Sequence, residues 1–357
     1  MRKGLRRRGE YDWVLFFVIL FLAGWGIFHL YTITFPGERA FFFRQIIWVA
    51  AGIGFLFLFS FFSIRFWGKA AYFIYGISLL TLVLVLFTGE GVHEAQRWLK
   101  IGMASFQPSE FAKLGLILVL ARLLSAEEEI SWKRMGISFC FTFILLILVA
   151  IQPDMGTALI SPFLWIGMIF LAGISISKLL SILGAGLSFL PLSQFFLQDY
   201  QKMRILTFLN PGRDPLGAGW STLQSRITLG SGRLIGKGIG GAIHTQLKFL
   251  PHPFTDFVFA SFGEEWGFVG ILLLLGLYLI IILRGIKIMR ESASSFGRLV
   301  SGGIVILFFL HIFINAGMSA GIMPVTGLPL PLVSYGGSST IMFFLGIGIL
   351  FSIKMQD

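Results

Sequence analysis

Residues 256–283 read DFVFASFGEEWGFVGILLLLGLYLIIIL. The run is long enough for a membrane-spanning helix, which needs roughly 20 mostly apolar residues to cross a hydrocarbon core about 30 Å thick. It opens on Asp256 and carries two adjacent carboxylates, Glu264 and Glu265, eight and nine residues further on. Nine more apolar runs of similar length occur at 13–34, 43–63, 70–88, 109–125, 135–151, 156–174, 178–197, 299–322 and 335–353. The chain is 56% hydrophobic and 13% charged, with a mean hydropathy of +0.86, which excludes an ordinary soluble domain. The expected fold class is an all-α polytopic membrane protein with about ten transmembrane helices, forming one integral membrane domain over residues 1–357.

Short cytoplasmic loops hold an excess of Lys and Arg, and this fixes the orientation. Arg2, Lys3, Arg6, Arg7 and Arg8 precede the first run; Arg65 and Lys69, Arg122 with Lys133 and Arg134, and Arg284, Lys287, Arg290 and Arg298 follow at later turns. Both termini are therefore expected in the cytoplasm, with a large extracytoplasmic loop, 198–255, between the seventh and eighth spans. The run 13–35 is too long for a signal-peptide core and is expected to stay as an anchor. Cys140 is the only cysteine, so no disulfide forms within the chain. The acidic run Glu127, Glu128, Glu129 is the composition of a solvated cytoplasmic connector.

The outer segment 197–254 has the wrong sign for its side of a membrane. Lys202, Arg204, Arg213, Arg226, Arg233, Lys237 and Lys248 oppose only Asp199 and Asp214. A positive surface that runs into the lone Asp256 suits an anionic, membrane-bound substrate. The cluster GSGRLIGKGIGG (230–241) lacks P-loop spacing, and the expectation is a glycine-rich turn whose amides and cations face lipid phosphates. His29, His93, His244, His252 and His311 show no zinc spacing. A Mg²⁺ or Mn²⁺ ion bridging a carboxylate and a substrate diphosphate stays open, because such ions take only one or two protein carboxylates. No nucleic-acid partner is expected.

Every carboxylate near the membrane needs an explanation. Glu110 and Lys113, three apart, share a helix face and suit either a local ion pair or substrate contact. Asp154 in QPDMGTA (152–158) could cap the helix that follows, and so could Asp256 after Pro253. Function is favoured for Asp256, because it adjoins the basic segment. On a continuous helix Glu264 would lie about 12 Å deeper than Asp256, at 1.5 Å per residue. His311 and Asn315, four apart on the ninth span, sit at a similar depth, so a buried polar contact between these residues and Glu264 and Glu265 is expected.

Four blocks carry a family likeness: AQRWLKIGMASFQPSEFAKL (95–114), QPDMGTA (152–158), GSGRLIGKGIGGAIHTQLKFLP running into TDFVFASFGEEWGFVG (230–270), and NAGMSAGIMPVTGLPLPLVSYGGSS (315–339). Together they resemble the SEDS (shape, elongation, division and sporulation) proteins of bacterial cell-wall synthesis, with PVTGLPLP (324–331) similar to the elongation branch. The resemblance implies a peptidoglycan glycosyltransferase of the cytoplasmic membrane that polymerises lipid II on its outer face, adding to a nascent glycan strand. It places the essential aspartate on Asp256 and further site residues on Glu110, Lys113 and Asp154. Just before Asp256 this chain departs from the usual LPE and HTDF, reading Leu250-Pro251-His252-Pro253-Phe254-Thr255-Asp256. The resemblance also implies a transpeptidase partner, a class B penicillin-binding protein, within an elongation complex of membrane proteins.

Such a substrate needs an apolar groove, a cationic place for its diphosphate and a base beside the sugars. Asp256 is the expected base, with Arg213, Arg226, Arg233, Lys237 and Lys113 as candidates for the leaving diphosphate and Arg44 as a further one. A lipid II flippase and a non-catalytic scaffold are the competing readings.

Overall fold

The computed structural model describes all residues except 1–9, 35–37, 89, 93–94, 102–103, 127–129, 194–198, 211–213, 215–216, 218 and 357. Helices occupy all ten apolar runs: α1 (Trp13–Ile33), α2 (Arg39–Ser60), α3 (Ile64–Thr88), α4 (Pro108–Leu124), α5 (Trp132–Ile151), α6 (Met155–Leu171), α7 (Ile176–Ser193), α11 (Val258–Glu291), α12 (Ser295–Ser319) and α13 (Gly337–Gln356). The outer segment adds α8 (Asp199–Leu209), α9 (Trp220–Ser231) and the single turn α10 (Ile243–Gln246). The chain is an all-α polytopic membrane protein, and seven of these helices are long and apolar enough to cross a membrane individually. One element departs from the helical pattern. Strands β1 (Glu90–Val92), β2 (Ala95–Ile101) and β3 (Ala104–Phe106) form a small antiparallel sheet between α3 and α4.

Local chemistry sets the helix starts. Asp12 caps α1 through Leu15 N, Ser131 caps α5 through Arg134 N, and Ser294 caps α12 through Gly297 N. The proline at the first position of α4 lacks the N–H that would be unpaired there anyway. Close backbone approach then knits the bundle, as membrane helices gain little from apolar burial alone. A Cβ on Gly348 would stand 2.7 Å from the Leu56 carbonyl oxygen, so α13 rides directly on α2. The interior helix is α4, buried on nearly every face, which is why it carries a buried ion pair instead of a lipid-facing surface.

At the cytoplasmic end Asp12 binds Arg284 Nη2 at 2.7 Å and Lys354 Nζ at 3.1 Å, joining α1, α11 and α13. Burial would raise the Asp12 carboxyl, but these two cations and the Leu15 amide hold it below the ordinary range.

The eighth span is not one continuous helix. It breaks at Gly267 (φ 67°, ψ −168°), immediately beyond Glu264 and Glu265. The glycine cluster fills the break. Phe268 N and Val269 N donate to the Arg233 and Leu234 carbonyls at 2.9 and 3.0 Å, while Lys237 N and Gly238 N donate to the Glu264 and Glu265 carbonyls at 3.0 and 3.1 Å. Backbone groups released inside a membrane must be satisfied within the protein, and here residues 233–238 do it. Gly236 (φ 86°) is required, because a side chain there would collide with the Glu265 and Trp266 backbone.

Candidate active site at the outer helix ends

The outer ends of α6, α11 and α12 converge on one loop, residues 324–335. Asn315, near the end of α12, donates through Nδ2 to the carbonyls of Asp256 (2.8 Å) and Leu328 (2.7 Å). Ser334 Oγ donates to Thr255 O at 2.6 Å, and Tyr335 N donates to Phe254 O at 2.8 Å. The backbone on both sides of Asp256 is thereby fixed. Gly327, in the left-handed region that favours glycine (φ 75°), lies beside the carboxylate, where a Cβ would stand in contact with Asp256 Oδ2 at 3.4 Å. From α6, the Cβ position of Gly156 comes within 2.5 Å of Thr326 O, which brings the QPD turn against the same loop.

Two aspartates meet across this loop and their environments differ. Asp154 caps α6 through Thr157 N at 3.3 Å and accepts from Gln107 Nε2 at 3.2 Å. Arg97 on β2 binds the Gln152 and Pro153 carbonyls and so fixes the turn that carries it. Asp256 caps nothing. The residue at the start of α11 is Phe257, which has no side-chain cap, so the capping explanation for Asp256 is set aside.

The Asp256 carboxylate instead faces a cavity of about 510 Å³, lined also by Arg204 and Thr207 of α8, Trp220 of α9, His252 and Val325. Burial pushes its carboxyl above the ordinary range; His252, the Thr255 hydroxyl and Arg204 pull it down, and the negative charge of Asp154 adds to the rise. A base with a raised pKa holds a proton more strongly, which suits it to accept one from a hydroxyl.

Glu110 and Lys113 do not line this cavity. They form an ion pair at 2.7 Å with side chains only 2% and 1% exposed. Lys113 Nζ also donates to His311 Nε2 at 2.9 Å, and His311 Nδ1 donates to Pro329 O at 3.1 Å. The lysine proton on one ring nitrogen and the carbonyl at the other define the neutral tautomer with hydrogen on Nδ1. The chain Glu110, Lys113, His311, Pro329 therefore holds the loop that faces Asp256.

The expected contact of Glu264 and Glu265 with His311 and Asn315 is not formed, and both glutamates bind the glycine cluster and α1 instead. Glu264 accepts from Lys237 Nζ (2.7 Å), His244 N (2.9 Å), Thr245 N (3.2 Å) and Thr245 Oγ1 (2.9 Å). Glu265 accepts from Gly240 N and Thr32 Oγ1, both at 2.9 Å, and binds His29 Nδ1. The cluster does not turn its amides to lipid phosphates as expected, since those of Lys237, Gly238 and Gly240 all bind within the protein.

The remaining cations are scattered. Arg213 lies outside the described residues. Arg226 is exposed on α9, with its alkyl chain over Gly321, and Arg233 is exposed at a left-handed turn (φ 50°). Neither these two nor Lys237 lines the cavity of Asp256. The cation that does is Arg204, whose Nη1 donates to Val325 O at 3.3 Å. In sequence it was one of seven, and only the i, i+3 pairing of Arg204 with Thr207 on an amphipathic helix could have marked it. His252 was a departure from a family motif, yet its turn (φ 47°) places it in the cavity.

The fold and site define a polytopic membrane protein with a carboxylate site at the outer ends of its helices. The family model described as cell cycle protein, covering FtsW, RodA and SpoVE, matches residues 12–357, and the chain belongs to this family. It is 43% identical over 288 residues to the peptidoglycan glycosyltransferase MrdB of Escherichia coli K12, covering 80% of this chain and 78% of that one. It is 31% identical to the peptidoglycan glycosyltransferase RodA of Treponema pallidum, over 99% of this chain and all of the relative. Among solved structures, RodA of Thermus thermophilus matches with a TM-score of 0.73 at 31% identity, covering 99% of this chain and 98% of that one. A chain from a peptidoglycan synthase complex described as coordinating polymerization and crosslinking matches at 0.85 and 34% identity, covering 97% and 99%.

Proposed function

We propose that this protein is a peptidoglycan glycosyltransferase of the bacterial cytoplasmic membrane, joining the disaccharide units of lipid II into β-1,4 glycan strands during elongation. The observation that carries the assignment is the Asp256 carboxylate, fixed through its backbone, excluded from helix capping and turned to a cavity shared with Arg204. Asp256 removes the proton from the 4-hydroxyl of the acceptor sugar as that oxygen forms a bond to the anomeric carbon of the donor. The bond from that carbon to the polyprenyl diphosphate breaks on the opposite face, so an α donor gives a β link, and the leaving group departs as the anion. Arg204 offsets the charge that builds there. Glu110, Lys113 and His311 position the 328–330 loop.

We propose that a Mg²⁺ or Mn²⁺ ion would be held by Asp154, a carboxylate 5% exposed whose two oxygens accept only the neutral donors Thr157 N and Gln107 Nε2 among the described residues. Asp256 stands across the loop, and no cluster of three or more possible ligands occurs among the described residues. Such an ion would take its remaining oxygens from the substrate diphosphate, where it would supply charge neutralisation. A flippase would need polar groups free within the membrane, and Glu264 and Glu265, the two adjacent carboxylates of α11, are occupied by internal contacts.

The partner proposed is a class B penicillin-binding protein acting as transpeptidase within the elongation complex. Purified protein given lipid II and a divalent metal should make long glycan strands, read by gel; Asp256→Ala, equally folded, should make none. Polymer from that variant would remove the base assignment.

A further inference from the structure

At the opposite end of the molecule, on the side that the basic residues assign to the cytoplasm, a second cavity of about 730 Å³ opens where the ends of α4, α6, α11 and α12 meet. Leu171, Met289 and Leu299 line it with apolar surface, while Arg290, Arg298 and Ser295 supply its polar groups. Among the described residues no carboxylate lines it. The neighbouring Glu291 pairs with Lys287 at 3.7 Å, and among the described residues neither Arg290 nor Arg298 has an acidic partner. The Arg298 guanidinium donates to Ser295 Oγ at 3.1 Å, which aims it along the first turn of α12. The asymmetry is chemical: two permanent cations sit over an apolar lining at the cytoplasmic limit of the spans, far from any step of the proposed reaction.

The carboxyl ends of α4, α6 and α11 oppose an anion here, but weakly. The backbone N–H groups of Ala172, Gly173 and Ile174 cap the last carbonyls of α6, and Ser125 N caps Ala121 O. A helix end carries about half an elementary charge, and its field falls off within a turn, against two whole guanidinium charges. Arginine binds phosphate through paired N–H donors. A basic pocket between spans on the cytoplasmic side is the form in which membrane proteins hold anionic headgroups.

We propose that this cavity binds the phosphate of an anionic phospholipid of the inner leaflet, with Arg290 and Arg298 on the headgroup and an acyl chain against Leu171 and Leu299. The site is separate from the outer cavity and does not depend on the activity proposed for it.

Native mass spectrometry of the full-length protein in detergent tests this by titration with phosphatidylglycerol, phosphatidylcholine or inorganic phosphate. The wild type should retain one phosphatidylglycerol at concentrations where phosphatidylcholine is not retained. The double variant Arg290→Gln, Arg298→Gln should weaken that retention by about tenfold or more. Lys287→Gln, on the same helix but outside the cavity, should leave it unchanged. Should the double variant fail to fold, Ser295→Trp fills the cavity while keeping both arginines, and it too should lose the lipid. Undiminished retention by a folded double variant or by Ser295→Trp would overturn the proposal, as would equal retention of phosphatidylcholine. Displacement of the lipid by equimolar inorganic phosphate would assign the site to a soluble phosphate ligand and overturn the lipid source.

Discussion

Two outer segments of this protein, 230–245 and 324–335, each pack against carboxylates at the start of α11, and the structure uses them in opposite ways. In 230–245 the carboxylates of Glu264 and Glu265 are filled by six hydrogen-bond donors from Lys237, Gly240, His244, Thr245 and Thr32, together with His29. Around 324–335 the bonds run to the backbone of Asp256 and its neighbours, and the carboxylate itself is left facing a cavity. A buried carboxylate whose lone pairs are satisfied by the fold holds structure together. One that is anchored mainly through its backbone, with the Thr255 hydroxyl beside it, keeps oxygen lone pairs for substrate.

Exchanging acid for alanine should separate the two regions most strongly. Asp256→Ala should reduce polymerisation by about a thousandfold, within the range of a lost general base, while thermal unfolding in detergent stays near the wild type. Glycan synthesis and unfolding measured on one preparation check both halves. Glu264→Ala should do the reverse. It strands Lys237 and the amides of His244 and Thr245, costing about 3 kcal/mol on the scale of a broken buried pair, with hydrogen exchange rising across 232–245. A Glu264→Ala protein that unfolded like the wild type would dissolve the contrast.

Within the cationic segment the same distinction predicts a smaller split. Arg204→Ala should slow polymerisation about a hundredfold, the scale of one lost charge-stabilising donor, with Arg226→Ala and Arg233→Ala close to wild type. Initial rates at saturating lipid II would distinguish them.

The helices were legible because a span is defined by length and apolarity, both local properties. Asp256 was legible because one acid stood at the end of a basic stretch. The break at Gly267 was not, since its φ is imposed by residues 233–238 docking from some thirty positions away, and nothing in FGEEWGF distinguishes one glycine from the next. The same docked segment supplies Glu264 and Glu265 with partners among 237–245 in place of His311 and Asn315. Lys113 was seen with its neighbour Glu110, three residues off, but its bond to His311 depends on α4 packing against α12. Arg204 likewise reaches Asp256 only because α8 folds over Val325, a contact spanning 121 positions.

The finest test concerns the proton. Burial holds the Asp256 carboxyl above its ordinary range, so the base form appears only as pH rises through that raised value, and kcat/KM should climb with it on the acid side. Asp154 contributes to the rise by its negative charge. Asp154→Asn removes the charge and keeps a side-chain oxygen for Thr157 N, so the acid limb should move to lower pH. Loss of the His252 ring in His252→Gln removes an opposing influence, and the limb should move to higher pH. Opposite displacements from two residues on different elements would mark Asp256 as the titrating group. Parallel displacements would instead mean that the limb reports the stability of the fold, and Asp256 would then belong with Glu264 and Glu265.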